Sequence, residues 1–218
     1  MKKLLFFLCL FLSFSLSAQK VEHGALVGIG LGFPVQTDTP YDEFADGKIS
    51  LEEYATYYGY DNNVKLDGSI GYRFRFLTER RYFFDLDATI GFQRLEAYKR
   101  KVYVAGVTDE DEAGIPGKSF REFVMPISLS ASWNYKFTDK FHAGLGVAPT
   151  LYVQPQAVFD LAVLAKVGYR VSKHCELGLT YQYGCLDVLK HFNEGPALGR
   201  RGHLSDLMFS VYIPFVIK

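Results

Sequence analysis

An acidic segment near the start of the chain has the residue spacing of a calcium-binding loop. Carboxylate oxygens in such loops recur at fixed positions around an obligatory glycine turn, because calcium binds several hard oxygen ligands. Gly47 falls at that turn, position 6, whereas Phe44 at position 3 offers no side-chain oxygen. The residues at the other matching positions are Asp42, Asp46, Lys48 and Glu53. The segment therefore predicts either a calcium site or a solvated acidic loop.

His203 and Ser205 form a second pair whose residue types suggest chemistry. Residues two apart on a strand project from the same face, so a histidine there can act as base for a serine nucleophile. This chemistry also needs a group that orients the base, and the sequence around the pair identifies no such carboxylate. The competing interpretation is a chance pair at the junction of a loop and a strand.

The elements that position these residues are strands and the loops between them, because apolar and polar residues alternate along most of the chain. In residues 64–77, Ile70 and Phe74 fall on one face, and Arg73 and Arg75 on the other. Eight segments share the pattern: 24–34, 64–77, 82–94, 123–137, 141–153, 159–171, 175–185 and 207–217. Each is about long enough to cross a bilayer at a tilt. The pattern predicts an all-β fold, an eight-stranded antiparallel up-and-down transmembrane barrel.

The connections between these segments differ in length. Three are tight turns, residues 78–81, 138–140 and 172–174. The others alternate with these turns and are long, except for the link at residues 154–158. The long ones are residues 35–63, 95–119 and 186–203. Outer-membrane barrels have short periplasmic turns and longer extracellular loops. We therefore expect the three long loops to face the exterior.

Residues 1–18 have the features of an export signal. Lys2 and Lys3 precede nine consecutive apolar residues, 4–12, and mostly small residues follow as far as Ala18. So short a run cannot span a bilayer as a helix, which needs about 20 residues. We expect cleavage after Ala18, which leaves residues 19–218 as a single barrel domain in the outer membrane.

The polar face of the segments carries charges of both signs. A narrow closed interior should hold a balanced set, because an unpaired buried charge is costly. The side chains expected to point inward are Lys65, Arg73, Arg75, Lys136, Lys166 and Arg170, with Asp67, Asp85, Asp87, Glu122, Asp160 and Glu176. Eight strands enclose room only for side chains or one small ligand, so conduction as a general porin is disfavoured. The formal net charge of zero argues against a nucleic-acid partner.

The chain resembles the small outer-membrane β-barrel family of Gram-negative bacteria, in particular its PorT-type members. The likeness rests on the signal ending at residues 17–19, the Gly-rich segment 28–33 and the closing segment 209–215. The resemblance implies contact with the lipid bilayer and with lipopolysaccharide. PorT-type membership would imply accessory work in protein secretion.

We therefore expect a monomeric, non-enzymatic barrel without a cofactor. Its role would be structural, or would consist of binding an envelope protein through the loops 35–63, 95–119 and 186–203. Two alternatives remain. One is a lipid-modifying enzyme similar to lipid A deacylases, some of which use a His–Ser pair such as His203 and Ser205. The other is an accessory barrel in secretion.

Overall fold

The computed structural model describes residues 20–36, 47, 60–63, 65–99, 119–191 and 202–217. Nearly all of these residues lie in strands. The strands are β1 (Lys20–Gln36), β2 (Tyr60–Asn63), β3 (Lys65–Leu77), β4 (Tyr82–Lys99), β5 (Ser119–Lys136), β6 (Phe141–Gln154), β7 (Val158–Ser172), β8 (Cys175–Gly184) and β9 (Gly202–Ile217). A short 3-10 helix covers Leu189–His191. No helix within the described ranges is long and apolar enough to cross a membrane.

The sheet is antiparallel throughout and closes on itself. β1 pairs with β3 on one side and with β9 on the other, and the remaining strands follow in order until β4 pairs with β5. β2 pairs with β4 just beyond the β3–β4 ladder. β2 and β3 together therefore occupy one of the eight strand positions of the barrel. The prediction of an eight-stranded antiparallel up-and-down barrel is confirmed.

Several strands extend further than the alternation of side chains indicates. β4 reaches Lys99, β5 begins at Ser119 and β9 begins at Gly202. The predicted boundaries of the loops 35–63, 95–119 and 186–203 were therefore wrong, because strand residues occupy their edges. Backbone hydrogen bonds continue a ladder where the alternation of side chains has stopped, since pairing needs no apolar face.

Side chains alternate between the lumen and the outer surface. Along β7, every second residue from Val158 to Gly168 is buried, and the residues between them are exposed. In the described part of the chain, large apolar side chains are exposed more often than buried, and Leu66 and Leu145 are 66% and 67% exposed. A soluble barrel would bury its apolar face, so the burial of polar and apolar residues is inverted here.

The turns at residues 78–81, 137–140 and 173–174 lie at one end of the barrel, which we call the turn-side end. The opposite end, which includes residues 155–157, is the loop-side end. At the turn-side end, Thr138 Oγ1 accepts hydrogen bonds from the amides of Lys140 (3.3 Å) and Phe141 (2.9 Å). Hydroxyl groups stabilise tight turns in this way, because they satisfy amides that the ladder leaves free.

Candidate functional site in the barrel lumen

An ion-pair network fills the turn-side half of the lumen. Arg73 and Arg75 lie two residues apart on β3, directly across the ladder from Asp87 and Asp85 on β4. Arg73 donates to Asp87 through Nε at 2.7 Å and Nη2 at 2.9 Å. Arg75 donates to Asp85 in the same bidentate manner, at 2.7 and 3.1 Å. Cross-strand register thus brings each pair together, and the bidentate geometry orients each guanidinium.

Glu176 on β8 connects the β3–β4 ladder to a strand that pairs with neither β3 nor β4. Arg75 donates to both carboxylate oxygens of Glu176, at 2.6 and 2.7 Å, and Arg73 donates at 3.4 Å. Arg170 donates to Glu176 at 3.1 Å and to Glu22 on β1 at 2.7 and 2.9 Å. Two strands, β1 and β9, separate β3 from β8 in the sheet. These bonds therefore cross the lumen.

The network is balanced in charge. Lys166 on β7 donates to Asp85 at 2.7 Å and lies 3.7 Å from Asp87. The cations are Arg73, Arg75, Lys166 and Arg170, and the carboxylates are Glu22, Asp85, Asp87 and Glu176. Each carboxylate thus has a close cationic partner, which offsets the large cost of removing these groups from water.

Aromatic rings occupy the space around the guanidinium groups. The Arg75 guanidinium lies 4.4 Å from the ring centroid of Phe83, and the Arg73 guanidinium lies 5.0 Å from that of Tyr212. His142 packs edge-on against Phe83, with centroids 4.9 Å apart, and its Nε2 lies 3.1 Å from Glu176. Cation–π contacts of this kind are favourable where the cation is shielded from water. Side chains thus occupy the turn-side half of the lumen.

A short segment after β8 covers the loop-side end of the lumen. Val188 and Leu189 are fully or almost fully buried. They belong to an apolar cluster made of Val124, Tyr152, Val158, Val188, Leu189 and Leu204. Asp160 Oδ1 anchors the segment, because it accepts hydrogen bonds from the amides of Leu161 (2.7 Å) and Leu186 (2.9 Å). Residues 186–203 were predicted as an outward loop, and within it Val188 and Leu189 pack inward instead, whereas Leu186 is exposed. Binding of an envelope protein by this loop stays a prediction.

A cavity of about 90 Å³ lies inside the lumen, between the network and this cluster. Arg73 and Lys166 of the network line it on the turn-side, and Asp67, Gln93 and Asp206 line it on the loop-side. Its remaining lining mixes hydroxyl and amide side chains with apolar ones, among them Leu26, Leu164 and Met208.

Most of the predicted inward charges do face the lumen. The buried ones are Asp67, Arg73, Arg75, Asp85, Asp87, Asp160, Lys166 and Glu176. Arg170 and Lys136 line the turn-side mouth. The side chains of Lys65 and Glu122 lie outside the described residues.

Glu22 and Asp206 were missed by the sequence analysis, although both belong to the lumen. Each lies just outside a predicted segment, Glu22 before residues 24–34 and Asp206 before residues 207–217. Both continue the alternation of their strand, so extending the two segments by one or two residues would have included them.

His203 and Ser205 share one face of β9 with the exposed Leu207. The Nδ1 atom of His203 forms a hydrogen bond with the carbonyl oxygen of Leu186 at 2.9 Å, and its ring lies 5.3 Å from that of Tyr183. Ser205 Oγ is buried and has no hydrogen-bond partner among the described residues. The structure therefore brings the two residues to one face without a hydrogen bond between them.

The predicted calcium ligands Asp42, Asp46, Lys48 and Glu53 lie outside the described residues. Gly47 is described, and its φ of 70° is in the left-handed region that glycine adopts without strain. Calcium binding by this loop stays a prediction. Among the residues that the structure does describe, no group of three or more His, Cys, Asp or Glu side chains could hold a metal ion.

No protein-family model matches the chain, and no curated protein matches it. Several solved structures are similar. Ail, the attachment invasion locus protein of Yersinia pestis, in complex with the heparin analogue sucrose octasulfate, is 11% identical with a TM-score of 0.43; the match covers 89% of this chain and 99% of Ail. Neisserial surface protein A is 15% identical with a TM-score of 0.44, over 88% of this chain and 97% of that one. OprG from Pseudomonas aeruginosa is 14% identical with a TM-score of 0.37, over 89% and 92%.

Proposed function

We propose that the chain is an outer-membrane barrel that spans the lipid bilayer of a Gram-negative envelope. The observation that carries this proposal is the apolar outer surface of the barrel. Large apolar side chains on four different strands are each about half exposed: Ile29, Ile70, Val163 and Phe209. Their neighbours on the same face are apolar as well. Water in contact with such a surface costs about 25 cal/mol per Å². Lipid is therefore the favourable surrounding for it.

Aromatic side chains on the outer face near the turn-side end support the same conclusion. Tyr82 lies 6.4 Å from Trp133, and Phe137 lies 5.3 Å from Tyr135 and 5.7 Å from Phe141, measured between ring centroids. Rings gathered at the edge of an apolar belt are typical of the interface between bilayer and water.

The occupied lumen supports a role that does not involve conduction. The ion-pair network crosses the turn-side half, and Val188 and Leu189 cover the loop-side end. A diffusing solute would have to break several buried charge pairs, each of which is expensive to separate. We therefore propose a non-enzymatic barrel with a structural role, or a binding role that its outer loops perform, in contact with the bilayer and lipopolysaccharide.

A substitution on the outer surface tests the membrane location. Ile70 is 55% exposed in the middle of β3. Ile70→Arg should lower the free energy of unfolding in phospholipid vesicles by about 2–4 kcal/mol, as a lipid-facing arginine does near the bilayer midplane. Glu79→Arg, in an exposed turn, is the matched control and should change little. Equal stability of the two variants, or a mature protein that shows no heat-dependent gel shift, would refute the proposal.

Planar-bilayer recordings test the absence of conduction. The folded protein should add no steady current above that of the bare bilayer, even at high protein density. Discrete channel openings would contradict the non-conducting role, and would leave the membrane location intact.

A further inference from the structure

Two carboxylates in the loop-side half of the lumen stand apart from the ion-pair network. Asp67 on β3 and Asp206 on β9 lie on either side of β1, where their backbone partners are Gly30 and Gly32. No side chain of β1 separates them at these positions, because both partners are glycine. Both carboxylates line the cavity of about 90 Å³.

The cations of the network are already engaged. Arg73 and Lys166 also line this cavity, but Arg73 forms a bidentate pair with Asp87, and Lys166 donates to Asp85. Within the described residues, neither Asp67 nor Asp206 forms an ion pair. Two acidic groups in a confined space without a counter-charge are unfavourable, unless something neutralises them.

Gln93 provides an independent indication that this space holds a ligand. It lies directly opposite Asp67 in the β3–β4 ladder and is 4% exposed. Its amide extends over Gly32, the backbone partner of Asp206, where a Cβ atom would collide with it. The Gln93 Nε2 and the Asp67 Oδ1 are buried, and neither has a hydrogen-bond partner among the described residues. Polar atoms left in this condition usually bind water, an ion or a ligand.

The donor set and the size of the cavity indicate the kind of ligand. Apart from the two carboxylates, the cavity is lined by the oxygen-bearing side chains of Ser69, Thr89, Thr180 and Gln182. Oxygen donors select hard cations over soft ones. Once deprotonated, the two carboxylates match the charge of a divalent ion. A cavity of this size can hold such an ion together with some of its water.

We propose that Asp67 and Asp206 bind a hard divalent cation inside the lumen, with Ca²⁺ as the best fit, and that Gln93 Nε2 donates a hydrogen bond to a water molecule of its shell. Ca²⁺ accepts six to eight oxygens in flexible geometry, and it tolerates a shell completed by amides, hydroxyls and water. The site has only two carboxylates, so we expect a dissociation constant of about 10⁻⁴–10⁻³ M, as in other weak calcium sites. This site is distinct from the acidic loop at residues 42–53.

Terbium luminescence tests the site, because Tb³⁺ replaces Ca²⁺ and emits when a nearby tyrosine absorbs light. Tyr152 lines the cavity. Detergent-refolded protein should show tyrosine-sensitised emission that Ca²⁺ reverses, both when Tb³⁺ is added to the folded barrel and when it is present during refolding. Asp67→Asn/Asp206→Asn should abolish this emission. Asp42→Asn/Asp46→Asn/Glu53→Gln, which alters the loop instead, should retain it.

A further variant separates loss of the light-absorbing group from loss of the binding site. Tyr152→Phe keeps both carboxylates, so it should lose the emission while Ca²⁺ still raises the melting temperature. Emission that persists in Asp67→Asn/Asp206→Asn, or wild-type protein that shows neither emission nor a Ca²⁺-dependent rise in melting temperature, would overturn the proposal. Loss of emission in the loop variant alone would also overturn it. The assay uses protein in detergent, so its outcome does not depend on the proposed location in the outer membrane.

Discussion

Arg75 and Glu176 are joined by hydrogen bonds of 2.6 and 2.7 Å, although their strands, β3 and β8, are not neighbours in the sheet. Both side chains are 2% exposed. The backbone ladders connect each strand only to the next, whereas this pair crosses the lumen. Its effect on stability should therefore exceed that of an ion pair on the surface, where water screens the charges.

Glu176→Gln should lower the free energy of unfolding by about 3–5 kcal/mol, because it leaves the buried Arg75 and the half-buried Arg170 with fewer counter-charges. Urea unfolding in phospholipid vesicles measures this change. Glu79→Gln, at an exposed turn residue, is the matched control and should have a midpoint close to that of the wild type. Equal midpoints for the two variants would show that the pair across the lumen contributes little.

The sequence was sufficient to predict the fold, because the physical cause of the fold acts on each strand separately. Every strand of the barrel separates an apolar outer surface from a polar lumen, so the period of two appears in each segment. The same pattern placed Arg73, Arg75, Asp85 and Asp87 inward. Their pairing also follows from local information, since the short turn at residues 78–81 sets the register of β3 on β4.

Two features of the lumen could not be predicted in this way. The contact between Arg75 and Glu176 depends on how the sheet closes, and the alternation within one strand carries no information about a distant strand. The burial of Val188 and Leu189 was missed because residues 186–191 have neither the period of a strand nor that of a long helix. Only the apolar cluster beneath them shows why they turn inward.

A glycine on β3 is required where the neighbouring strand approaches closely. A Cβ atom at Gly71 would collide with the carbonyl oxygen of Ala88, whereas at Gly68 the nearest atom is the carbonyl oxygen of Gly28 at 3.8 Å. Gly71→Ala should therefore destabilise the barrel by about 1–3 kcal/mol, the usual cost of overpacking. Gly68→Ala should be neutral or slightly stabilising. Urea midpoints measure both, and equal midpoints would contradict the close approach.

Asp160 should hold the segment that covers the loop-side end of the lumen. Asp160→Ala removes the acceptor of the Leu186 and Leu161 amides, which should cost about 1–3 kcal/mol locally. The expected result is faster hydrogen exchange at the Leu186 amide, with an intermediate rate in Asp160→Asn, which keeps an oxygen acceptor. Asp139→Ala, at an exposed turn residue, is the control. An unchanged exchange rate at Leu186 would show that packing alone holds the segment.

Ser205→Ala should leave the lipid A of the producing strain unchanged. Ser205 Oγ has no hydrogen-bond partner in the described part of the chain, and His203 Nδ1 is engaged by the carbonyl oxygen of Leu186. A serine without a bonded base is a weak nucleophile at neutral pH. Lipid A mass spectra from the wild type, a deletion strain and the Ser205→Ala strain should therefore coincide. His174→Ala, at an exposed turn, is the control for a histidine far from the pair. The opposite result would be lipid A that keeps additional acyl chains in both the deletion and the Ser205→Ala strain, and loses them in the wild type. The chain would then be a deacylase, and the non-enzymatic role would be wrong.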